Sequence, residues 1–445
     1  MHLTRIRARP SAPWFDAECH DIKGETRRLE KAHRRNPSPQ SEDAWRSHFN
    51  YQRVRFQKTF VDHWAAAIDS CHGDSKAVWS KLRSLLQPEL EKKSQLSAAE
   101  HEQYFTKKID CIRDCTAAAP PPIIEDRTVQ EPLTVLRPTT AEEVASILRQ
   151  SSAKQCSLDP VPTWLVKEAG DVIAPVIAGM CNASFQQARL PERNKKAIIR
   201  PLLKKQNLDP NDPSSYRPIS NLSFISKVVE KVVDVRIAEH INKHQLLPVF
   251  QSAYRPFHST ETAVVCITNA MIGALDCGHI GALSLLDLSA AFDTVDHTIL
   301  TDVLTKRFGV QGLALDWFVD FLSERRQVVR VEIDNAEETK LRFGVPQGSV
   351  LGPKIFIQYA EDVSKLFEKH GLQYHLYADD MQGLKHGRPL DVPMIVAAHE
   401  ASLAEIRPWC ASRRLQLNDN KTENCSGSVR QQIFVRWRLI RETFA

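Results

Sequence analysis

Two short segments that carry aspartate constrain the fold of this chain more than any other feature of its sequence. Residues 282–288 form an apolar run bounded by Gly281, a pattern typical of a buried strand, and Asp287 lies near the end of that run. A carboxylate is stable in an apolar interior only when it is ion-paired, hydrogen-bonded or bound to a metal. The first segment therefore predicts a buried strand that delivers Asp287 to a polar site.

The second segment predicts a hairpin with an acidic turn. Residues 372–377 and 381–384 have the pattern of short strands on either side of Ala-Asp-Asp at 378–380. Asp379 and Asp380 are expected to repel each other and to raise each other's pKa unless a cation neutralises them. Taken alone, an Ala-Asp-Asp string is more often an exposed turn than a functional site.

Together the carboxylates of Asp287, Asp379 and Asp380 predict a metal site shared by two neighbouring strands. Carboxylate oxygens are hard ligands that suit magnesium. Two such ions about 3.5–4 Å apart can activate an attacking hydroxyl group and stabilise the leaving oxygen in phosphoryl transfer. The expected cofactor is therefore a pair of Mg²⁺ ions, with Mn²⁺ as a substitute.

The rest of the chain indicates an α+β protein with a basic helical beginning. Its 445 residues are 42% apolar, enough for two or three folded units, and its net charge is +5. Basic residues are dense in the first hundred positions, where Phe56, Phe60 and Trp64 recur at helical spacing. Such a stripe is either a nucleic-acid-binding face or, more often, part of a packed core.

Composition shifts divide the chain into four segments. We expect a basic helical extension over residues 1–118, a proline-rich linker over 119–138, a main α+β domain over 139–425 and a divergent tail over 426–445. The sequence shows no signal-peptide pattern and no apolar run of membrane-spanning length, and its ten cysteines are scattered. These features favour an intracellular, reducing location without a zinc site.

Long motifs in the second half of the chain follow one another in a recognisable order. Residues 344–353 read Gly-Val-Pro-Gln-Gly-Ser-Val-Leu-Gly-Pro, and residues 284–297 read Ser-Leu-Leu-Asp-Leu-Ser-Ala-Ala-Phe-Asp-Thr-Val-Asp-His. The other segments are residues 377–380 (Tyr-Ala-Asp-Asp), 417–423, 216–222 and 251–263. These resemble motifs B, A, C and D and two finger motifs of reverse transcriptases from non-LTR, LINE-type retrotransposons, most closely the L2/CR1-like branch. The resemblance covers residues 140–425 closely and residues 13–110 loosely.

The resemblance implies a right-hand polymerase, with palm and fingers, that copies an RNA template into DNA by adding dNTPs to a DNA primer. Asp287 and Asp379 would be its metal ligands, with Asp380 beside them as a weaker or indirect ligand. Residence in the nucleus or in a cytoplasmic ribonucleoprotein would suit such an element, and the sequence leaves the oligomeric state open.

The resemblance also assigns nucleotide-binding residues. Phe292, at the start of a helix, would pack under the incoming sugar and exclude a 2′-hydroxyl group, although its spacing alone is typical of a core aromatic. Gln347 and Gly348 would contact the incoming nucleotide. The cations expected near the triphosphate are Lys204, Lys205, Arg217 and Lys421, of which Lys421 is a candidate general acid.

Departures from the family pattern set further expectations. Gly383 is expected to interrupt the second strand of the hairpin and weaken it. Residues 424–445 resemble nothing in the family, so we expect a truncated protein whose helical thumb is missing. Two alternatives remain: an RNA-dependent RNA polymerase, which Phe292 disfavours, and a catalytically inactive RNA-binding remnant.

Overall fold

Two units make up the fold, residues 1–93 and residues 94–445. The computed structural model of the protein describes residues 12–71, 77–79, 81–82, 94–205, 207–419, 421–428 and 431–437. The boundary between the units differs from the one predicted at residue 118, because the helix Ala98–Thr116 packs against a sheet of the second unit. Residues 429, 430 and 438–445 of the predicted tail lie outside the described residues.

The first unit contains a pair of helices, α1 (Ala17–Arg35) and α2 (Pro39–Asp69). Each helix begins at a side chain that accepts a hydrogen bond from the backbone of its first turn. Trp14 packs edge-on against Phe56 and Phe60, with ring centroids 6.1 and 5.5 Å away. The aromatic stripe therefore takes part in packing within this unit, the commoner of the two interpretations.

The second unit combines helices with two sheets. Its α-helices are α3 (Ala98–Thr116), α4 (Ala141–Gln150), α5 (Thr163–Glu168), α6 (Gly170–Gln187), α7 (Phe224–Lys243), α8 (Thr260–Asp276), α9 (His297–Phe308), α10 (Gly312–Leu322), α11 (Leu351–Tyr359), α12 (Val363–Lys369) and α13 (Val392–Ser412). Thr140 caps α4 by accepting a hydrogen bond from the backbone N–H of Glu143. In the part of the chain that the structure describes, no helix is both long and apolar enough to cross a membrane.

The strands of the two sheets alternate along the chain. The first has the strand order β2-β1-β4-β5, with β6 also on β4. Its strands are β1 (Lys196–Leu203), β2 (Tyr216–Asn221), β4 (Arg326–Val331), β5 (Asp334–Asn335) and β6 (Thr339–Lys340). The second has the order β10-β9-β3-β8-β7. Its strands are β3 (Ile280–Leu286), β7 (Gln373–Tyr377), β8 (Asp380–Gly387), β9 (Glu423–Ser428) and β10 (Gln431–Trp437). This mixed α and β architecture confirms the predicted class.

The hairpin of the second sheet is not weakened by Gly383, so that expectation is wrong. Strand β8 runs unbroken, and Gly383 pairs with Ser284 on one side and Tyr374 on the other. A Cβ atom at this position would lie 2.8 Å from the ring of Phe367. The glycine therefore lets an aromatic ring pack closely on the strand.

The helix after the first acidic strand begins later than predicted. A single 3₁₀ turn spans Ala291–Asp293, and α9 starts only at His297, so Phe292 is not in the α-helix. The carboxylate of Asp296 accepts hydrogen bonds from the first turn of α9, which fixes the start of the helix there.

His399 on α13 is buried against the central strand β3, where its Nδ1 lies 2.6 Å from the hydroxyl of Ser284. Burial lowers the pKa of this imidazole from 6.5 to about 4. Below pH 6.5 the unfolded chain binds a proton that the folded protein excludes, so stability is lost as the pH falls from 6.5 towards 4.

We expect His399 alone to lower the free energy of unfolding by about 2 kcal/mol when the pH falls from neutral to about 5. Urea unfolding of the wild type and of His399→Leu at both values measures this loss, which the substitution should abolish. The exposed imidazole of His258 provides the control, because His258→Leu should retain the full pH dependence. An unchanged pH dependence in His399→Leu would contradict the assignment.

Candidate active site

The predicted acidic residues meet at one end of two paired strands. Asp287 directly follows β3, and Asp380 begins the antiparallel neighbour β8, with Leu286 paired to Met381. The tight turn between β7 and β8 consists of Ala378, in the left-handed conformation, and Asp379. The hairpin therefore presents its two carboxylates beside the one from β3, as the sequence predicts.

Burial and mutual repulsion make the carboxyl groups of Asp379 and Asp380 harder to ionise. Burial, followed by the charges of Asp380 and Asp287, raises the pKa of Asp379 to about 6. The pKa of Asp380 is also raised, mainly by burial and then by Asp287. A carboxyl group with a raised pKa is less stable when ionised, so a cation that neutralised these groups would bind favourably.

The donor chemistry of this group fits magnesium, but its arrangement is not that of a closed metal cage. Within the described ranges, no three acidic, histidine or cysteine side chains are arranged so that they could hold a metal ion together. The Asp287 carboxylate instead accepts hydrogen bonds from Lys421 Nζ at 3.0 Å and Asn418 Nδ2 at 3.1 Å. Hard oxygen donors and uncompensated negative charge are present. To bind an ion together with Asp379 and Asp380, the Asp287 carboxylate has to give up its hydrogen bonds to Lys421 and Asn418.

A loop before β9 brings Asn418 and Lys421 to Asp287. The backbone N–H of Asn418 donates to the Asp287 carbonyl at 2.8 Å, and the N–H of Ser289 donates to the Gln416 carbonyl at the same distance. The structure thus places the candidate general acid Lys421 next to a candidate metal ligand. Asn418 was not among the predicted residues, although it lies in the motif at 417–423 that contains Lys421.

Cations gather on the side of the first sheet. The pKa of Lys204 is lowered by burial and by the nearby charges of Lys108, Lys421 and Arg217, while its Nζ donates to the Ser214 carbonyl at 2.7 Å. Arg217 is exposed, and its charge also acts on both Asp379 and Asp380. Like charges held this close favour a bound polyanion.

The cations found here differ in part from those that the sequence predicts. Lys108, on α3, was missed because its motif is an unremarkable charged helix face. Lys204 and the predicted Lys205 are both exposed, and the charges of the neighbouring cations act on Lys204.

The loop of residues 344–350, here called the glutamine loop, is fastened to the end of β2. Ser220 donates its backbone N–H to the Gln347 carbonyl at 2.7 Å. Gly348 has φ +133°, and a Cβ atom there would lie 2.3 Å from the Ser220 carbonyl oxygen. A second glycine, Gly344, lies so close to Asp293 that a Cβ atom would come within 2.6 Å of its carbonyl oxygen. Both glycines are required by close backbone contact.

A buried glutamate holds the helix that follows the glutamine loop. Glu230 on α7 accepts hydrogen bonds from the backbone N–H groups of Val350 at 2.7 Å and Leu351 at 3.2 Å, at the start of α11. Arg325 is buried nearby, stacked on the ring of Phe321, and its charge partly offsets that of Glu230. This carboxylate therefore supplies the N-terminal cap that α11 lacks in its own sequence.

Phe292 lies between the glutamine loop and the acidic turn. Its ring is partly buried, 4.7 Å from the ring of Phe356, and it packs on the small cluster that includes Ala378. Its carbonyl accepts the backbone N–H of Val345 at 2.8 Å. The structure therefore places Phe292 beside the Asp379 turn as well as in apolar contacts.

Gly348→Ala is expected to lower the free energy of unfolding by about 2 kcal/mol or to detach the glutamine loop, because both the positive φ and the Ser220 carbonyl oppose a side chain. Chemical unfolding measures the loss. Gly273→Ala is a matched control, since Gly273 lies in helix α8 with open space around it. That change should be neutral or stabilising by up to about 1 kcal/mol. Equal effects of the two substitutions would contradict the close contact.

Comparisons with known proteins bear on the identity of this site. The sequence model of the family described as "Reverse transcriptase (RNA-dependent DNA polymerase)" matches residues 203–434, just over half of the chain. The match runs beyond the predicted end of the main domain at residue 425. The expectation that the resemblance stops at Glu423 is therefore wrong, and residues 423–428 form β9 of the second sheet.

Three relatives come from Drosophila melanogaster. A probable RNA-directed DNA polymerase from transposon BS is 29% identical over 257 residues, which are 56% of this chain and 27% of that protein. A probable RNA-directed DNA polymerase from transposon X-element is 31% identical over 182 residues, 41% of this chain and 20% of that protein. The RNA-directed DNA polymerase from mobile element jockey is 26% identical over 275 residues, 60% of this chain and 29% of that protein.

The alignments with these relatives therefore span less than a third of the length of each of them. The family match contains the carboxylates of both paired strands, the glutamine loop and the loop of Asn418 and Lys421. These findings agree with the resemblance seen in the motifs. The chain belongs to the reverse transcriptase family.

Proposed function

We propose that this chain is an RNA-directed DNA polymerase that adds dNTPs to the 3′-hydroxyl group of a DNA primer on an RNA template. The observation that carries the proposal is the meeting of Asp287 with the Asp379–Asp380 turn, next to a cluster of cations. In this proposal the second sheet is the palm, and the first sheet with its neighbouring helices forms the fingers. The protein would act in an intracellular ribonucleoprotein.

The carboxylates would hold the metal ions. Asp287, Asp379 and Asp380 offer the oxygen donors, and two bound Mg²⁺ ions, or Mn²⁺ in their place, would supply positive charge to the reacting hydroxyl group and the leaving phosphate. The raised pKa values of Asp379 and Asp380 support this role, because they mark negative charge without a sufficient partner.

The cations would bind the triphosphate. Arg217 offers a planar, two-pronged donor for phosphate oxygens, and Lys204 adds a second positive charge beside it. Lys205 would contribute at longer range. Lys421 lies within hydrogen-bonding distance of Asp287, which keeps its ammonium group near the reacting atoms. From there it would protonate the departing pyrophosphate.

The sugar and base would lie against Phe292 and the glutamine loop. The Phe292 ring is held by Phe356 and by its backbone bond to Val345, so it has little freedom to yield to an extra hydroxyl group. Gly348 is exposed and carries no side chain, which allows the nucleotide to approach the backbone. Gln347 beside it would supply a polar contact.

Primer extension by the purified full chain on an RNA template with Mg²⁺ tests the proposal. Extension with dNTPs is the expected result. Equally efficient use of ribonucleotides would favour the RNA-dependent RNA polymerase instead. Binding of RNA with no extension in Mg²⁺ or Mn²⁺ would favour the inactive RNA-binding remnant.

Phe292→Val is expected to reduce the preference for dNTPs over ribonucleotides by about tenfold to a hundredfold, because removing the ring removes the clash with a 2′-hydroxyl group. Competition between the two substrates in primer extension measures the ratio. Phe49→Val is a suitable control, because Phe49 is an exposed aromatic residue of helix α2 and lies outside the polymerase motifs. If Phe292→Val lowers stability but leaves the preference intact, the ring is only a core residue.

A further inference from the structure

The side chain of Gln347 is held by the carboxylate of Asp293, a residue that has no role in the function proposed above. Its Nε2 lies 2.8 Å from Oδ1 and 2.7 Å from Oδ2 of Asp293, a residue of the 3₁₀ turn next to Phe292. The two residues are 54 positions apart in sequence. Both side chains are partly buried, so this contact is built into the junction between the turn and the glutamine loop.

An amide and a carboxylate can meet in only one favourable orientation. The amide has a donor end, Nε2, and an acceptor end, Oε1, whereas an ionised carboxylate only accepts hydrogen bonds. Rotating the amide by half a turn would bring Oε1 against two negatively charged oxygens. We propose that Asp293 is a positioning residue that turns the Gln347 amide so that its carbonyl oxygen is the end left for substrate.

The surroundings of Asp293 favour this arrangement. The backbone N–H groups of Gly344 and Val345 donate to the carbonyls of Val295 and Phe292, each at 2.8 Å, so the two chain segments are held together on either side of Asp293. The cleft behind the pair is lined by Tyr104 and Lys108 of α3, and the charge of Lys108 favours ionised Asp293. Glu102 and Tyr216 are the other ionisable side chains that line this cleft. Burial raises the pKa of Asp293 to about 6, which leaves the carboxylate ionised at neutral pH.

An acceptor at this position selects a donor on the substrate. This step rests on the proposed function. A deoxynucleoside triphosphate carries few hydrogen-bond donors, and the Watson–Crick donors of the base are used in pairing with the template. The donor on the sugar is the 3′-hydroxyl group, and the sugar is the part of the nucleotide that would lie beside Phe292 and Gln347. Gln347, turned by Asp293, would therefore recognise that hydroxyl group and disfavour nucleotides that lack it.

A double-mutant cycle tests whether Asp293 acts through Gln347. The variants are Asp293→Asn, Gln347→Ala and the double variant, with Asp302→Asn as a control that removes an exposed carboxylate from α9. Asparagine has nearly the same shape as aspartate but can face either end of the amide. We expect Asp293→Asn to raise the KM for dNTP about tenfold with little change in kcat, and to lower discrimination against dideoxynucleotides about as much. The control should change neither quantity.

In the Gln347→Ala background, Asp293→Asn should then change KM less than about twofold, since the group it positions is gone. Additive effects, or a loss of kcat alone, would overturn the positioning role while leaving the polymerase function in place. If the wild type does not extend primers, the proposed function fails. Urea unfolding of the wild type, the two single variants and the double variant measures the contact separately. Coupling in the free energy of unfolding without coupling in KM would show that the pair is purely structural and would also overturn the inference.

Discussion

Asp379→Asn is expected to lower the rate of primer extension by at least about a thousandfold, which corresponds to roughly 4 kcal/mol in the activation barrier. Asparagine keeps the size of the side chain and removes its negative charge. A neutral amide is a poor magnesium ligand and cannot offset the positive charge that the reaction requires near the triphosphate. Steady-state extension on an RNA template measures the effect.

The same substitution should not destabilise the metal-free protein. Asp379 is ionised at a cost, because burial and the charges of Asp380 and Asp287 raise its pKa to about 6. Removing its charge is therefore expected to raise the free energy of unfolding in EDTA by about 1 kcal/mol. If the loss of activity came from misfolding, the free energy of unfolding would fall instead.

Two measurements complete this test. Asp302→Asn, which neutralises an exposed aspartate on α9, should leave extension unchanged. Affinity for the RNA template should also be unchanged in Asp379→Asn, because its carboxylate carries the wrong charge to bind phosphate. If Asp379→Asn extends primers at the rate of the wild type, the carboxylate does not take part in catalysis.

Glu230→Ala is expected to lower the free energy of unfolding by about 3–5 kcal/mol. The substitution leaves two backbone N–H groups at the start of α11 without their acceptor. It also removes the negative charge that faces the buried guanidinium of Arg325. An uncompensated buried cation is the larger part of the expected loss.

Glu230→Gln separates the two contributions. Glutamine can still accept a hydrogen bond from the N-terminus of α11 but lacks the charge, so more than half of the loss should remain. Glu239→Ala, on the same helix but exposed, is the control and should cost less than about 1 kcal/mol. Urea unfolding measures all three. A loss in Glu230→Ala no larger than that in Glu239→Ala would contradict the capping role.

The local elements of the site could be predicted from the sequence. The strand before Asp287 follows from an unbroken apolar run, and the hairpin follows from two short strands around a polar turn. Periodicity and turn chemistry act over a few residues, so they determine such elements well. The order of the motifs then indicates that the two segments belong to one site.

The contacts that fix the site could not be predicted in this way. Asp293 reaches Gln347 across 54 residues, and Glu230 reaches Val350 across 120. No local pattern reports which distant side chain will face a given loop. Gly383 shows the converse, because a general rule about glycine in strands fails where the Phe367 ring needs the space.

Part of the attachment of the glutamine loop uses backbone atoms alone, and this affects how the protein tolerates random change. The bond from the Ser220 N–H to the Gln347 carbonyl uses groups that nearly every residue type possesses. Point substitutions that spare Glu230 and Asp293 can therefore accumulate around the loop without altering its shape. Gly344 and Gly348 are exceptions, because any side chain there meets backbone atoms. In gene copies that drift without selection, changes at these two codons should therefore be among those that end the function of a copy.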